Sequence, residues 1–209
     1  ISEIVGEEHI GWRYDPIFID DKYTVKYHLE QFEGISAALQ GYTKNCVISF
    51  LDLYQKVKRN FPEVKMVSKE QRKYLGQRMT RIATEHKMIL RPCGEGTELA
   101  AFGADCNGCM TQQIYENAIH MSLDMPKKQF LRKECACYLG NDIGAYNSCP
   151  HMCKYCYANY DEKSVRLNRI NHNPKSAFLI GDDMPNDKVH KAVQKSWING
   201  QISLNGFFI

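Results

Sequence analysis

The sequence predicts an α/β fold, with a body of parallel βα units over residues 1–120 and a cysteine-rich, metal-binding C-terminal region over 121–209. Three observations carry this reading. Short β-branched or aromatic runs alternate with segments of helical periodicity through the first half. From about residue 93 onward Gly, Cys and Asn rise and the periodicity fades. Eight of the nine cysteines lie between Cys93 and Cys156.

Taken in order, HIGWRYDPIFI reads as a strand followed by an extended Asp-Pro segment, because Pro16 disfavours the helical region for Asp15. Residues 23–40 place Leu29, Phe32, Ile35, Ser36 and Leu39 at helical spacing, with Gly41 as the stop. CVISFL, residues 46–51, is the short apolar run of a buried parallel strand. A short helix is expected over 52–59, ending near Pro62. Ser68 and Gln71 form a capping-box signal. The helix that follows sets Leu75, Met79, Ile82 and Ala83 on one face and ends near His86. KMILRP is the third strand, and a further helix is expected over 111–121. Residues 130–160 read as a loop region that metal ligation orders where an apolar core does not. The tail is turn-rich and then predicts a short helix with Val189, Val193 and Trp197 on one side.

Composition narrows the function classes. The chain has 209 residues, 44% hydrophobic and 24% charged, which speaks for a folded globular protein rather than a disordered one. A net charge of +3 does not by itself argue for nucleic acid. The Lys- and Arg-rich helix over 69–87 is read first as a solvated face, since no aromatics interleave with its charges, although nucleic acid is not excluded as a partner. No apolar run approaches the roughly 18 residues a membrane helix needs, and the acidic start lacks a signal peptide. The expectation is a cytoplasmic protein without a membrane partner. Clustered cysteines in such a chain point to metal rather than to disulfides. No G-x-S-x-G, P-loop or G-x-G-x-x-G is present, so serine-hydrolase, nucleotide-hydrolase and dinucleotide readings lack support.

The densest signal is CPHMCKYC, where Cys149, Cys153 and Cys156 stand at C-x3-C-x2-C spacing. Zinc sites usually take four ligands from two pairs. Three thiolates on a four-iron cluster leave one iron with an open position, as a cluster needs if it is to bind a cofactor or substrate. The spacing, with Tyr155 just before the last cysteine, resembles the signature of the radical S-adenosylmethionine enzymes. That resemblance implies a 4Fe-4S cluster on Cys149, Cys153 and Cys156 and S-adenosylmethionine on the open iron, with Tyr155 near the adenine. It also implies reductive cleavage to a 5′-deoxyadenosyl radical, and hence a reductase or flavodoxin-type electron donor. In that superfamily the motif usually follows the first barrel strand, whereas here it follows the βα units.

A second resemblance spans most of the chain. WRYDPIFI, YTVKYHLEQF, CVISFLDLY, the cysteine run ending in CYA, and HNPKSAFLIG together resemble a bacterial family of domains of unknown function, number eighteen-forty-eight. That family implies a TIM-barrel-like α/β body followed by a C-terminal cysteine cluster, with further N-terminal barrel strands before WRYDP. The chain resembles the C-terminal two-thirds of such a member, and three parallel strands cannot close an eight-stranded barrel, so the expectation is an open, partial α/β sheet or missing N-terminal strands.

Other residues enter as candidates. Cys106 and Cys109 form C-x2-C, and Cys135 and Cys137 form C-x-C; together they supply four thiolates for a second iron-sulfur or zinc site, and Cys93 could replace one of them. The plain alternative for Cys93, Cys106 and Cys109 is burial as reduced thiols, and Cys46 is read as a core residue. Asp142 and Tyr146 lie between the cysteine groups and could orient the cluster loop, with Gly144 allowing its turn. Arg13, Asp15, Asp52 and Arg91 fall at or after predicted strands, where parallel α/β folds build active sites; the alternative is a structural Arg–Asp pair. His28, His151 and His172 are read as packing, capping or non-ligand residues. The leading expectation is an iron-sulfur protein of radical S-adenosylmethionine type acting on an unknown substrate. The rivals are a zinc-stapled binding module and an electron-transfer or sensor protein whose cluster takes a fourth thiolate from Cys135 or Cys137.

Overall fold

The computed structural model describes residues 1–126, 135, 137, 138, 144–188, 190, 191, 193 and 195–200. The chain forms two compact units: Ile1–Phe50, Val67–Leu139 and Lys195–Ile209 make one, and Leu51–Met66 with Gly140–Gln194 make the other.

The first unit is built on a three-stranded parallel sheet in the order β1 (Gly11–Ile17), β2 (Asn45–Phe50), β3 (Ile89–Pro92). After a single helical turn, α1 (Ser2–Val5), the chain enters β1 and then α2 (Val25–Leu39). Thr24 caps α2, its hydroxyl accepting from the Tyr27 N–H at 3.1 Å. The buried residues of α2 are His28, Phe32 and Ser36, on the face the periodicity predicts. Trp12 of β1 stacks on Phe32 with ring centroids 4.9 Å apart. His28 is held between two oxygens: its Nε2 donates to the Phe18 carbonyl at 2.7 Å, so its Nδ1 accepts from the Tyr14 hydroxyl at 2.8 Å. Histidine 28 is thus a satisfied packing residue. Burial, and then the neighbouring Tyr27, push the Tyr14 phenol up to about 12.

The capping box forms as read. The Ser68 hydroxyl accepts from the Gln71 N–H and the Gln71 side chain accepts from the Ser68 N–H, opening α4 (Lys69–Glu85). Helices α2 and α4 pack together and share one core with the sheet: Phe32, Cys46, Ile48, Leu75, Met79, Ala83 and Leu90 are its centre. Cys46 is fully buried there, and desolvation raises its thiol pKa well above the ordinary value. β2 buries Cys46, Val47, Ile48 and Phe50, as a strand covered on both faces must.

Gly76 sits in the middle of α4, where Ala would ordinarily be better by about 1 kcal/mol. Here the 3-10 turn Glu98–Phe102 lays Leu99 directly over it, and a Cβ at Gly76 would fall 2.5 and 2.6 Å from the two Leu99 methyls. Leu99 is only 5% exposed and has little room to move. Overpacking therefore outweighs propensity, and Gly76→Ala is expected to lower stability by about 1–3 kcal/mol. Urea denaturation checks this; an unchanged or raised midpoint would show that Leu99 repacks freely.

The sheet is open, as three strands predict, and among the described residues no further strand extends it toward the TIM-barrel-like body that the family resemblance implies; three strands cannot meet the closure condition that fixes tilt and shear. The helix expected in the tail is corrected. No helix forms among the described residues of the tail, and Val189 lies outside them. Val193 is 97% exposed, and Ile198 instead makes an antiparallel bridge with Leu123. The Asp124 N–H donates to the Trp197 carbonyl at 2.7 Å and the Asn199 N–H to the Ser122 carbonyl at 2.8 Å, so backbone pairing replaces the helix.

The second unit holds α3 (Gln55–Asn60) and α6 (Glu162–Ile170). Helix α6 is absent from the sequence reading, although its cap is plain: the Asp161 carboxylate accepts from the Ser164 N–H at 2.7 Å. It is only nine residues long, its apolar content is low, and Val165 is its one buried residue, so little marks it as a packed element. Helix α5 (Gln112–Ile119), capped by Thr111, belongs to the first unit and lies within the predicted span.

Candidate functional site

The strand register decides which side chains meet. Arg13, Val47 and Arg91 are neighbours across the three strands, as are Trp12, Cys46 and Leu90 in the next row. Alternation sends the second row into the helical core and the first to the opposite face. The same parity carries Asp15, Ser49 and Cys93 to the face that Arg13 and Arg91 occupy. Asp15 joins the row by contact, since its Oδ2 accepts from Arg13 Nη2 at 2.6 Å, from Arg13 Nε at 3.1 Å and from the Ser49 hydroxyl at 3.3 Å. Burial opposes the Arg13 charge, but the hydrogen bond and the charge of Asp15 outweigh it and raise the guanidinium pKa.

Arg91 is 8% exposed and committed internally. It pairs with Asp105, donates to the Asn45 side-chain carbonyl at 3.1 Å and reaches the Gly108 carbonyl at 3.5 Å. These contacts bind the 105–108 loop onto β3, helped by the Asp105 N–H, which donates to the Leu90 carbonyl at 2.9 Å. Arg91 is therefore an anchor of that loop, and with Asp105 and Tyr138 it also lines a cleft of about 500 Å³.

That loop delivers Cys109. Its sulfur lies 3.3 Å from that of Cys137 and 3.7 Å from that of Cys93, and Arg13 Nη1 approaches it at 3.9 Å. The Cys109 N–H donates to the Cys137 sulfur at 3.3 Å. Cys137 is pinned by its neighbour, whose N–H donates to the Met110 carbonyl at 2.7 Å. Cys93, just past β3, is fixed by its own N–H, which donates to the Ile48 carbonyl at 2.8 Å. The bond from Cys109 favours the Cys137 thiolate and lowers its pKa against the effect of burial, and Cys135 adds to this as a neighbouring donor. Cys109 shifts upward, held protonated by Cys137 and Cys93. Cys135 and Cys137 are both 6% exposed.

Cys106 stands apart from this group. It packs against the core, and its sulfur reaches the Ala104 carbonyl at 4.0 Å. Sequence spacing pairs Cys106 with Cys109, whereas the fold puts Cys93 beside Cys109. The period-two alternation of β3 into Arg91 and Cys93 was the signal that could have found this.

The C-x3-C-x2-C cysteines lie in the second unit, on a loop with a closed base. The Asn147 N–H donates to the Ala158 carbonyl at 3.2 Å, and the Asn147 side chain accepts from the Tyr160 N–H. Asn147 itself takes a left-handed φ of 57°, a conformation that Asn tolerates better than most residues. Inside the loop Asn159, 6% exposed, donates to the Cys149 carbonyl at 2.6 Å, and the Cys156 N–H donates to the Cys153 carbonyl at 2.9 Å. The Asn159 Oδ1 is buried with no hydrogen-bond partner among the described residues. Cys149 and Cys153 are exposed and Cys156 is partly so. Tyr155 is 37% exposed; Tyr146 packs on Tyr160 with ring centroids 5.6 Å apart. Lys56 of α3 donates to the Tyr157 carbonyl at 2.8 Å and sits 4.0 Å from the centroid of the Tyr160 ring, which ties the loop to α3. Asp52 is exposed and accepts from the Tyr54 hydroxyl at 3.3 Å. Asp142 lies outside the described residues.

None of the nine cysteines forms a disulfide. Among the described residues no group of three or more His, Cys, Asp or Glu side chains is arranged so that it could hold a metal ion as it stands. A cleft of about 480 Å³ opens beside β2 and α4, lined by Phe50, Lys69, Arg72, Lys73, Glu95 and Thr97 among others. Within it Glu95 accepts from the Phe50 N–H at 2.8 Å and pairs with Arg72 at 2.9 Å. Arg72 and Glu95 did not figure among the sequence candidates.

Residues 1–158 match the family model described as a domain of unknown function (DUF1848). The chain belongs to the DUF1848 family. The match takes in both cysteine groups and the whole three-stranded sheet, and it ends just before α6. No curated protein and no solved structure matches this DUF1848 chain. No helix among its described residues is long and apolar enough to cross a membrane.

Proposed function

We propose that this DUF1848 protein is an iron-sulfur protein of radical S-adenosylmethionine type, its cluster held by Cys149, Cys153 and Cys156. The observation that supports the reading is the state of those three residues. They sit on one loop whose base is hydrogen-bonded shut, with two thiols exposed and the third partly so, rather than packed in a core as Cys46 is. The donor set fits a cluster that keeps a vacancy: three soft thiolates and no fourth cysteine in the motif. When bound, the cluster would supply one-electron reduction of S-adenosylmethionine. The chain's own residues do the rest. Asn159 fixes the carbonyl of Cys149 and with it the loop's shape, and Tyr155 offers a ring for a nucleobase.

Anaerobic reconstitution with iron and sulfide tests the proposal. The expected result is a brown protein with about four irons bound through the loop cysteines. Reduction should then give an electron paramagnetic resonance signal that changes on adding S-adenosylmethionine. Zinc on the three loop cysteines in place of iron and sulfide would overturn it. A cluster that forms but never cleaves S-adenosylmethionine would leave an electron-transfer protein.

A further inference from the structure

We infer that Cys93, Cys109, Cys135 and Cys137 form a second, separate site that takes a single tetrahedral thiophilic ion, zinc, as a structural staple on the charged face of the sheet.

The distances distinguish one ion from a cluster. Four thiolates around one zinc at about 2.3 Å lie about 3.8 Å from one another, the edge of that tetrahedron. Thiolates on a cubane each cap a different iron and lie about 6 Å apart. Cys109 and Cys93 are 3.7 Å apart, at the zinc spacing, and Cys109 and Cys137 are 3.3 Å apart. The second pair needs only to open by about half an ångström to reach the tetrahedral edge. A cubane would need both pairs driven apart by more than 2 Å, against the anchored backbones of Cys93 and Tyr138.

The fourth sulfur and the surroundings agree. Cys135 neighbours Cys137, with which it makes C-x-C, and both are buried. The Cys109 N–H donation to the Cys137 sulfur is the kind of contact that orients a ligand and offsets its charge. A dication bound by four thiolates carries two net negative charges, and the Arg13 guanidinium lies 3.9 Å from the Cys109 sulfur. The thiols come from three stretches far apart in sequence: the end of β3, the Arg91-bound loop and the segment at 135–137. An ion there joins them, which is the work of a structural zinc.

The test uses the full chain with Cys149, Cys153 and Cys156 replaced by Ala, so that the loop cluster does not contribute metal. Expressed with zinc and purified under reducing conditions, this variant is expected to retain about one zinc per chain. Adding Cys109→Ser should abolish it, and adding Cys106→Ser should leave it in place. Cobalt titration of the metal-stripped triple variant provides a readout independent of the folding of further mutants. The visible ligand-field bands of a tetrahedral cobalt thiolate are expected, with competition by zinc. Three results would overturn the inference: a pale octahedral cobalt spectrum, iron and sulfide on these cysteines, or a Cys109–Cys137 disulfide with no ion bound. None of these bears on the loop cluster, which the variant lacks.

Discussion

Cys153→Ala is expected to abolish iron incorporation at the loop and, with it, reductive cleavage of S-adenosylmethionine. Cys153 is the middle cysteine of the proposed ligand trio, and its carbonyl also accepts the Cys156 N–H at 2.9 Å. The substitution keeps that backbone bond and removes only the sulfur. Two thiolates leave a second iron uncapped, and a cluster with two open irons is not retained. Because Cys153 is exposed, removing its side chain leaves no cavity, so stability in the metal-free state should be unchanged within about 0.5 kcal/mol. The predicted pattern is complete loss of 5′-deoxyadenosine with an unaltered metal-free unfolding midpoint. Cleavage surviving at a tenth or more of the parent rate would remove Cys153 from the ligand set.

The second large effect is on the fold. Arg91→Met is expected to destabilise the protein by about 3 kcal/mol. The substitution takes the cation from the Asp105 carboxylate, which keeps the bonds from Asn107 N–H and Nδ2 to its Oδ1, and removes the Arg91 donor from the Asn45 and Gly108 carbonyls. The figure is at the low end for a broken buried ion pair because the Asp105 side chain is 27% exposed and regains some water. The double replacement Arg91→Met with Asp105→Leu should recover a large part of the loss, since no buried charge is then left alone. Guanidinium unfolding of the parent, both single variants and the double variant gives the coupling. The single variant should also bind zinc at Cys109 more weakly, because the loop that carries Cys109 is held by Arg91. A loss under 1 kcal/mol would show that Arg91 is not the loop's anchor.

The placement of Arg91 illustrates how the sequence reading and the structure divide the explanation. A charged residue closing a parallel strand was reasonably read as facing substrate, since strand ends build active sites. Whether such a charge faces a ligand or an internal partner depends on what the next loop brings back. Here Asp105 returns to it fourteen residues later. Helix α6 and the tail show a related limit. Asp161 is an ordinary cap signal, but a nine-residue helix of low apolar content that buries only Val165 offers few apolar positions to read. Val189, Val193 and Trp197 have helical spacing, yet the chain near Trp197 pairs with residues 122–124 as extended backbone.

The sequence by itself determined the local elements: the strand read over 46–51, the capped helix from Ser68, and its buried face of Leu75, Met79, Ile82 and Ala83. Each rests on neighbours within a few residues, and one-dimensional spacing encodes such relations directly. Only the tertiary structure decided that Cys93 joins Cys109 and Cys137 while Cys106 turns to the core. Those contacts span 16 and 28 residues, and strand register and the Arg91 anchor set them. Spacing along the chain carries no information about which distant thiols a sheet face will bring together.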